Sequence, residues 1–343
     1  MDEKILVLDF GGQYNLLIAR RVRELHVYAE IRPYNKIAPE ESGQAGYKGI
    51  ILTGGPNSVY ADGAPLCDPA LLGLGIPVLG ICYGAQLMAF LAGGEIREAE
   101  NGGEYGKTAL HIRDDVLFGG VPAESVCWMS HRDFVQTPPS GFAVTAQTDG
   151  CPCAAFADAK RRLYGVQFHP EVTHTAFGRQ MLHNFLYAVC GCQGLWSAED
   201  FAAAAIERCR SLLAGKKVLL ALSGGVDSSV AALLLHRAVG DRLTCVFVDH
   251  GLLRKGEGDF VEQTFRGRFG LHLIRVNAEE RFLHRLKGIT EPEEKRRVIG
   301  EEFIRVFEAE AKKLGKIDVL AQGTIYPDVV ESGLGGESAT IKS

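Results

Sequence analysis

The sequence has no apolar run approaching the roughly 18 residues that a membrane-spanning helix requires. Its opening stretch, Met1-Asp2-Glu3-Lys4-Ile5-Leu6-Val7-Leu8-Asp9, shows no signal-peptide pattern. A cytoplasmic protein with no membrane partner is the expectation. There is no block of lysine and arginine either, and the formal net charge is -5, so no nucleic-acid partner is expected and small molecules are. Zinc-finger spacing is missing too. Cys151/Cys153 and Cys190/Cys192 are spaced C-x-C, whereas structural zinc sites use C-x₂₋₄-C with histidine partners. In a chain of this kind the nine cysteines are not expected to form disulfides, and the two C-x-C pairs read as buried structural thiols.

What is present divides into two regions, as a chain of 343 residues permits. In the second, the apolar run Val218-Leu219-Leu220-Ala221-Leu222 leads into Ser223-Gly224-Gly225-Val226-Asp227-Ser228-Ser229, and Val230 to Leu235 follow as helix formers. Strand, loop and helix N-terminus in that order make an anion cradle, because the first N–H groups of a helix have no intrahelical acceptor and the helix dipole favours negative charge. The lysine of the G-x-x-x-x-G-K-[ST] loop is absent. A polyphosphate would therefore be held by backbone donors and by the hydroxyls of Ser223, Ser228 and Ser229, with Asp227 placed to reach a Mg²⁺.

In the first region, residues 4 to 8 read as a fully buried parallel strand, Leu16 to Leu25 recur at helical spacing, and further strands are expected near Val27 to Ile31 and at Gly49 to Leu52. This alternation predicts a doubly wound α/β sheet. The next strand, Ile76 to Ile81, runs into Gly80-Ile81-Cys82-Tyr83-Gly84, the G-x-nucleophile-x-G form of a nucleophile elbow. Cys82 would stand at a helix N-terminus, an environment that favours a nucleophilic thiol. Its partners are sought downstream, where the strand-like Leu163 to Phe168 delivers His169-Pro170-Glu171. Residues i and i+2 of an extended chain share a face, so Glu171 can orient the His169 imidazole. Cys82, His169 and Glu171 are the expected catalytic set.

Several of these segments resemble known families. Gly54-Gly55-Pro56, Gly80 to Gln86 and His169-Pro170-Glu171 are similar to the three signatures of class I glutamine amidotransferases. The resemblance implies thioester formation on glutamine, release of ammonia, an oxyanion held near Gly55 and Tyr83, and glutamine held in part by Gln86. Ser223 to Ser229 resembles the loop of ATP pyrophosphatases, which adenylylate an oxygen of a second substrate. Val126 to Asp133 resembles the W-M-S-H-G-D segment of the GMP synthetase family, adding His131 and Asp133 to the expected glutamine site. Arg132 occupies the usual glycine position, where a left-handed backbone would strain it.

The segment Val248-Asp249-His250-Gly251-Leu252-Leu253-Arg254 also resembles that family and makes Val248 an expected ATP contact. A lid-like segment from Gly288 to Gly300 offers Arg296, and Lys342 is a second expected contact for phosphate or xanthosine monophosphate (XMP). Thr290 is expected to cap the lid helix, with Pro292 in its first turn. The resemblance implies an amidotransferase domain over 1–192 and an ATP-pyrophosphatase domain over 193–343, two doubly wound α/β domains with mainly parallel central sheets. It further implies glutamine, ATP and XMP as substrates, Mg²⁺ with the ATP, and homodimerisation through an additional C-terminal domain that this chain lacks. Three other readings stay open: a truncated form with glutaminase and ATP binding but little GMP synthesis, an amination of another acceptor as in glutamine-dependent NAD synthesis, and a regulatory nucleotide-binding protein.

Overall fold

The computed structural model describes residues 3–99 and 102–323. Lys342, one of the expected XMP or phosphate contacts, lies outside the described residues. The chain divides into two compact units between Ser197 and Ala198.

The first unit begins with β1 (Lys4–Asp9), α1 (Asn15–Glu24), β2 (Tyr28–Pro33), α2 (Pro39–Gln44), β3 (Gly49–Leu52), β4 (Val78–Ile81) and α3 (Tyr83–Leu91). Then follow β5 (Glu95–Glu98), β6 (Glu104–Ile112), β7 (Glu124–His131), β8 (Asp133–Thr137), β9 (Ala143–Gln147), β10 (Ala155–Asp158), β11 (Leu163–Val166) and α4 (Gly178–Asn184). Nine strands form one sheet in the order β2-β1-β3-β4-β11-β10-β9-β6-β7. From β2 to β11 every pairing is parallel. β1, β3 and β4 are apolar nearly throughout because helices cover both faces: Ile5, Val7 and Ile51 pack with Ile18 and Val22 of α1, while Leu6, Leu8 and Ile50 pack with Leu87 and Met88 of α3.

Beyond β11 the sheet turns antiparallel through β10, β9, β6 and β7. The sequence reading expects the parallel core and not this wing. Much of β6 and β7 alternates between more and less buried residues, as strands with one solvated face do, and that weaker pattern left them unassigned. β5 and β8 form a separate antiparallel pair.

The second unit contains α5 (Ala198–Leu212), β12 (Val218–Ala221), α6 (Val226–Val239), β13 (Leu243–Asp249), α7 (Glu257–Glu262), β14 (His272–Asn277), α8 (Glu279–Leu286), α9 (Pro292–Lys313) and β15 (Val319–Ala321). Its sheet has the order β14-β13-β12-β15 and is parallel throughout. Successive side chains alternate between two cores: Val218, Leu220, Cys245 and Phe247 on one face, Leu219, Val246 and Val248 with Phe282 and Val306 on the other. The helix expected after Thr290 forms, but Glu291 occupies the N-cap with no side-chain capping bond and Pro292 is its first residue. Proline disfavours helical backbone in the residue before it, which sets that boundary one residue later than Thr290 as cap.

Candidate active site

Cys82 sits at the N-cap of α3 with φ 52° and ψ -110°. A residue other than glycine in that region carries backbone strain of about 1–3 kcal/mol, which the surrounding packing must hold. The packing is tight. A Cβ on Gly84 would lie 2.2 Å from the Leu52 carbonyl oxygen, and one on Gly80 would lie 2.6 Å from the Gly84 carbonyl oxygen. Both glycines let backbone approach backbone, and the thiol is thereby lifted to the C-terminal ends of the strands, where open α/β sheets place their sites.

β11 lies beside β4 in parallel register, and the Cys82 N–H donates to the Val166 carbonyl at 2.8 Å. The chain leaves β11 through Gln167 and reaches His169 next to Cys82. His169 Nδ1 stands 2.7 Å from Glu171 Oε1, with both residues buried. The carboxylate can only accept, so Nδ1 carries the proton and Nε2 is left for the thiol side. Burial alone would push the His169 pKa down, but the neighbouring Cys82 and Glu171 more than offset it and hold it well above the ordinary value. Tyr14 presses edge-on against the imidazole, ring centroids 5.2 Å apart.

A cavity of about 990 Å³ opens over this group, lined by Gly55, Cys82, Tyr83, Gln86, Asp133 and His169 among others. Glu171 lies behind it. Gln86 Nε2 donates to the Asp133 carbonyl at 2.6 Å and to Gln167 Oε1 at 3.2 Å. Its amide nitrogen thus holds the cavity wall. The Asp133 carboxylate accepts from Ser58 and from the Tyr60 hydroxyl at 3.1 Å. His131 also lines the cavity, with Nδ1 3.1 Å from the Asp133 carbonyl and Nε2 3.2 Å from Glu104 Oε2. Burial holds its pKa below the ordinary value, although Glu104 works the other way.

The strain expected at Arg132 is absent: its backbone is not left-handed, and the side chain reaches outward to an ion pair with Glu98. The left-handed residue at this place is Gly103, opposite on β6's side, where a Cβ would meet the His131 carbonyl. Sequence reasoning missed Gln167, whose Nε2 donates to Cys82 Sγ at 3.8 Å. The signal was available, since Gln167, His169 and Glu171 are two apart and extended residues two apart share a face.

Glu171→Gln should lower activity at Cys82 by two to four orders of magnitude, because the amide can present N–H to Nδ1 and turn the imidazole to the wrong tautomer. The pH dependence supplies a separate check. A raised folded-state pKa contributes stability fully present below about pH 6.5 and lost as pH rises through the folded value. The stability deficit of Glu171→Gln, read from urea melts, should therefore be largest in mild acid and narrow above the raised pKa of His169.

In the second unit, Ser223 Oγ and Ser228 Oγ stand 2.9 Å apart, the Ser223 N–H donates to Ser228 Oγ at 3.2 Å, and Ser229 Oγ donates to the Gly225 carbonyl at 2.6 Å. Gly224 has φ 80°, and Gly225 caps α6 with extended backbone, φ -72° and ψ 165°. This tight turn points the first N–H groups of α6, from Val226 to Ser228, away from the helix with no intrahelical acceptor. Asp227 is exposed in that turn. Pairing of β13 with β12 reaches Val246, whose carbonyl accepts from Leu222 at 2.9 Å. Val248, two residues on, presents its peptide groups to the same edge beyond the end of β12. His250 turns onto Phe282 and Phe303 and accepts from the Leu252 N–H at 3.1 Å. Arg296 is paired with Glu293 one turn earlier on an exposed face.

Parallel strands flanked by helices, with a strained strand-to-helix elbow at Cys82 beside the His169–Glu171 pair, define an α/β protein whose candidate site lies at the C-terminal ends of the strands. The chain belongs to the class I glutamine amidotransferase family, whose model matches residues 6–189. A tRNA methyl transferase HUP domain model matches residues 216–257. Among curated proteins, the chain is 59% identical over 343 residues to a GMP synthase [glutamine-hydrolyzing] of Ruminiclostridium cellulolyticum, with 100% of this chain and 66% of that protein covered. It is 58% identical over 342 residues to the protein of the same name from Alkaliphilus metalliredigens, covering 99% of this chain and 66% of that one. The chain thus spans just under two thirds of the length of these relatives.

Proposed function

We propose that this chain takes part in glutamine-dependent synthesis of GMP, hydrolysing glutamine in its first unit and using ATP in its second to activate XMP. The observation that carries the first half is the left-handed Cys82 beside the His169–Glu171 pair. The relatives named GMP synthase support the second.

In this reading the Cys82 thiolate attacks the carboxamide carbon of glutamine, and the developing oxyanion meets N–H groups at Gly55 and Tyr83. Each such donor is worth about 3–4 kcal/mol in comparable acyl transfers. His169 gives its proton to the leaving nitrogen, and ammonia departs from a thioester. The same imidazole then takes a proton from water, whose oxygen attacks the thioester carbon and releases glutamate and the free thiol. Asp133, fixed by Ser58 and Tyr60, supplies a negative charge for the α-ammonium of glutamine, with Gln86 and His131 shaping the wall.

At the second site Ser223 to Ser229 and the N–H groups of α6 hold the phosphates of ATP, and Val248 offers backbone groups to the adenine. Asp227, an exposed carboxylate beside that cradle, fits the hard-oxygen preference of Mg²⁺, which offsets phosphate charge when bound. The XMP oxygen displaces pyrophosphate from the α-phosphorus, and ammonia then displaces AMP. Arg296 is the proposed phosphate contact on α9.

The test measures glutamate release from glutamine and pyrophosphate release from ATP, with XMP and ammonium supplied. No glutamate under any combination of ATP and XMP would overturn the first half; pyrophosphate release with deamido-NAD but not XMP would overturn the second. Asp227→Ala, at an exposed position, should leave the melting temperature unchanged and weaken Mg²⁺-dependent ATP binding at least about tenfold by calorimetry, the scale of losing one charged contact.

A further inference from the structure

Three donor atoms meet beside the cavity wall, and no bond-making step of the proposed glutamine chemistry runs through them. Glu104 on β6 and His131 at the end of β7 are register partners across the antiparallel wing. The turn after β9 brings in Cys151, whose side chain is fully buried. One ligand-type atom from each of Glu104, His131 and Cys151 lies within 4.8 Å of the other two.

The hydrogen bonds leave a gap among them. His131 Nδ1 contacts the Asp133 carbonyl at 3.1 Å, and a carbonyl only accepts, so the ring proton of a neutral imidazole is on Nδ1. Nε2 then presents a lone pair to Glu104 Oε2 at 3.2 Å, and a carboxylate oxygen is also an acceptor. With that neutral ring, two acceptors face one another at hydrogen-bond distance. The Thr148 hydroxyl, 2.8 and 3.0 Å from the two Glu104 oxygens, has a single proton and spends it on that carboxylate. A cation between the three atoms would turn this repulsion into bonds.

We propose that Glu104, His131 and Cys151 form a zinc site with one position left for water. Nitrogen, oxygen and thiolate sulfur are the donors Zn²⁺ takes, at bond lengths of roughly 2.0–2.3 Å, which place tetrahedral donors about 3.3–3.6 Å apart. The Nε2–Oε2 separation of 3.2 Å is already near that value. The surroundings match those of zinc ligands: the second ring nitrogen of the histidine is tied to a carbonyl, and the carboxylate is tied to a hydroxyl. Binding breaks the Cys151 S–H bond, forms a zinc–sulfur bond and releases one proton, so affinity rises with pH. The ion would pin β6, β7 and the 148–151 turn together. It would also stiffen the Asp133 carbonyl that carries Gln86. The C-x-C pair containing Cys151, read from the sequence as structural thiols, thus acquires a ligand through partners 20 to 47 residues upstream.

The test uses the full chain carrying Cys82→Ser, which removes the cavity thiol as a competing metal ligand. Metal-free protein is titrated with Zn²⁺ against a chelating dye, and with Cd²⁺ while the ultraviolet thiolate-to-cadmium band is followed. One equivalent of zinc, a cadmium band that disappears in Cys151→Ser, and zinc affinity lowered at least about tenfold in Glu104→Gln are expected. Zinc should raise the melting temperature of the parent and of neither variant. Absence of stoichiometric binding by the parent, or a cadmium band that survives Cys151→Ser, would overturn the site. Should Cys151→Ser fail to fold, unchanged zinc affinity in Glu104→Gln overturns it equally well. No step of the test measures turnover, so its result is separate from the reading of Cys82.

Discussion

Cys82→Ala is expected to reduce glutamate release from glutamine by at least about 10⁴-fold, the scale on which loss of a covalent nucleophile acts. Folding should survive. Alanine meets the same left-handed backbone, and beyond its partner His169 the thiol's contacts to the Ser130 carbonyl at 3.7 Å and from Gln167 at 3.8 Å are weak ones. Pyrophosphate release from ATP in the presence of XMP and added ammonia should stay within about twofold, because the loop at Ser223 to Ser229 belongs to the other unit. Glutamate measured by a coupled dehydrogenase and pyrophosphate measured by a phosphatase assay give the two readouts. Loss of both in a variant whose melting temperature is unchanged would contradict two separable sites.

Gly84→Ala carries the second large effect, and its cause is geometric. The added Cβ would stand 2.2 Å from the Leu52 carbonyl oxygen, 2.6 Å from its carbon and 2.7 Å from the Leu52 Cβ. Two of those three atoms are backbone of β3, a central strand with all four residues buried, so neither partner can yield by a rotamer change. Either the protein loses about 3 kcal/mol of stability or α3 shifts outward and takes Cys82 with it. A displacement of about 1 Å costs on the order of 100-fold in rate. Gly84→Ala should therefore show a lower urea midpoint together with slower alkylation of Cys82 and slower glutamate release. A variant with unchanged midpoint and unchanged rate would show that β3 and α3 are less tightly joined than this contact requires. Gly73→Ala is the control, since nothing lies within 4 Å of a Cβ there.

Local chemistry accounts for what was legible beforehand. The elbow could be read because glycine, nucleophile and glycine must be neighbours for backbone to crowd a strand-to-helix turn. His169 and Glu171 could be paired because extended residues two apart share a face, and the structure sets their side chains 2.7 Å apart. The same rule, applied once more, would have added Gln167. β1 and β3 were visible as continuous apolar runs, the consequence of burial on both faces. The loop at 223–229 was visible because a strand, a glycine turn and a helix start are consecutive in the chain.

Contacts set by strand register were hidden. Gln86 reaches the carbonyl of Asp133 across 47 residues and the amide of Gln167 across 81, and His131 meets Glu104 across 27. No local pattern encodes such pairings, because moving one strand by a residue turns its side chains to the other face without changing the sequence. Arg132 shows the same division from the other side: its place in a glycine position suggested strain, but the left-handed turn falls on Gly103 of the facing segment. By itself the sequence determined which candidate groups stand together within each short segment, since bonded geometry dictates what near neighbours can do. The tertiary structure alone decided how the antiparallel wing closes the cavity and which buried groups, Glu104, His131 and Cys151 among them, are brought together, since that depends on packing and register over the whole sheet.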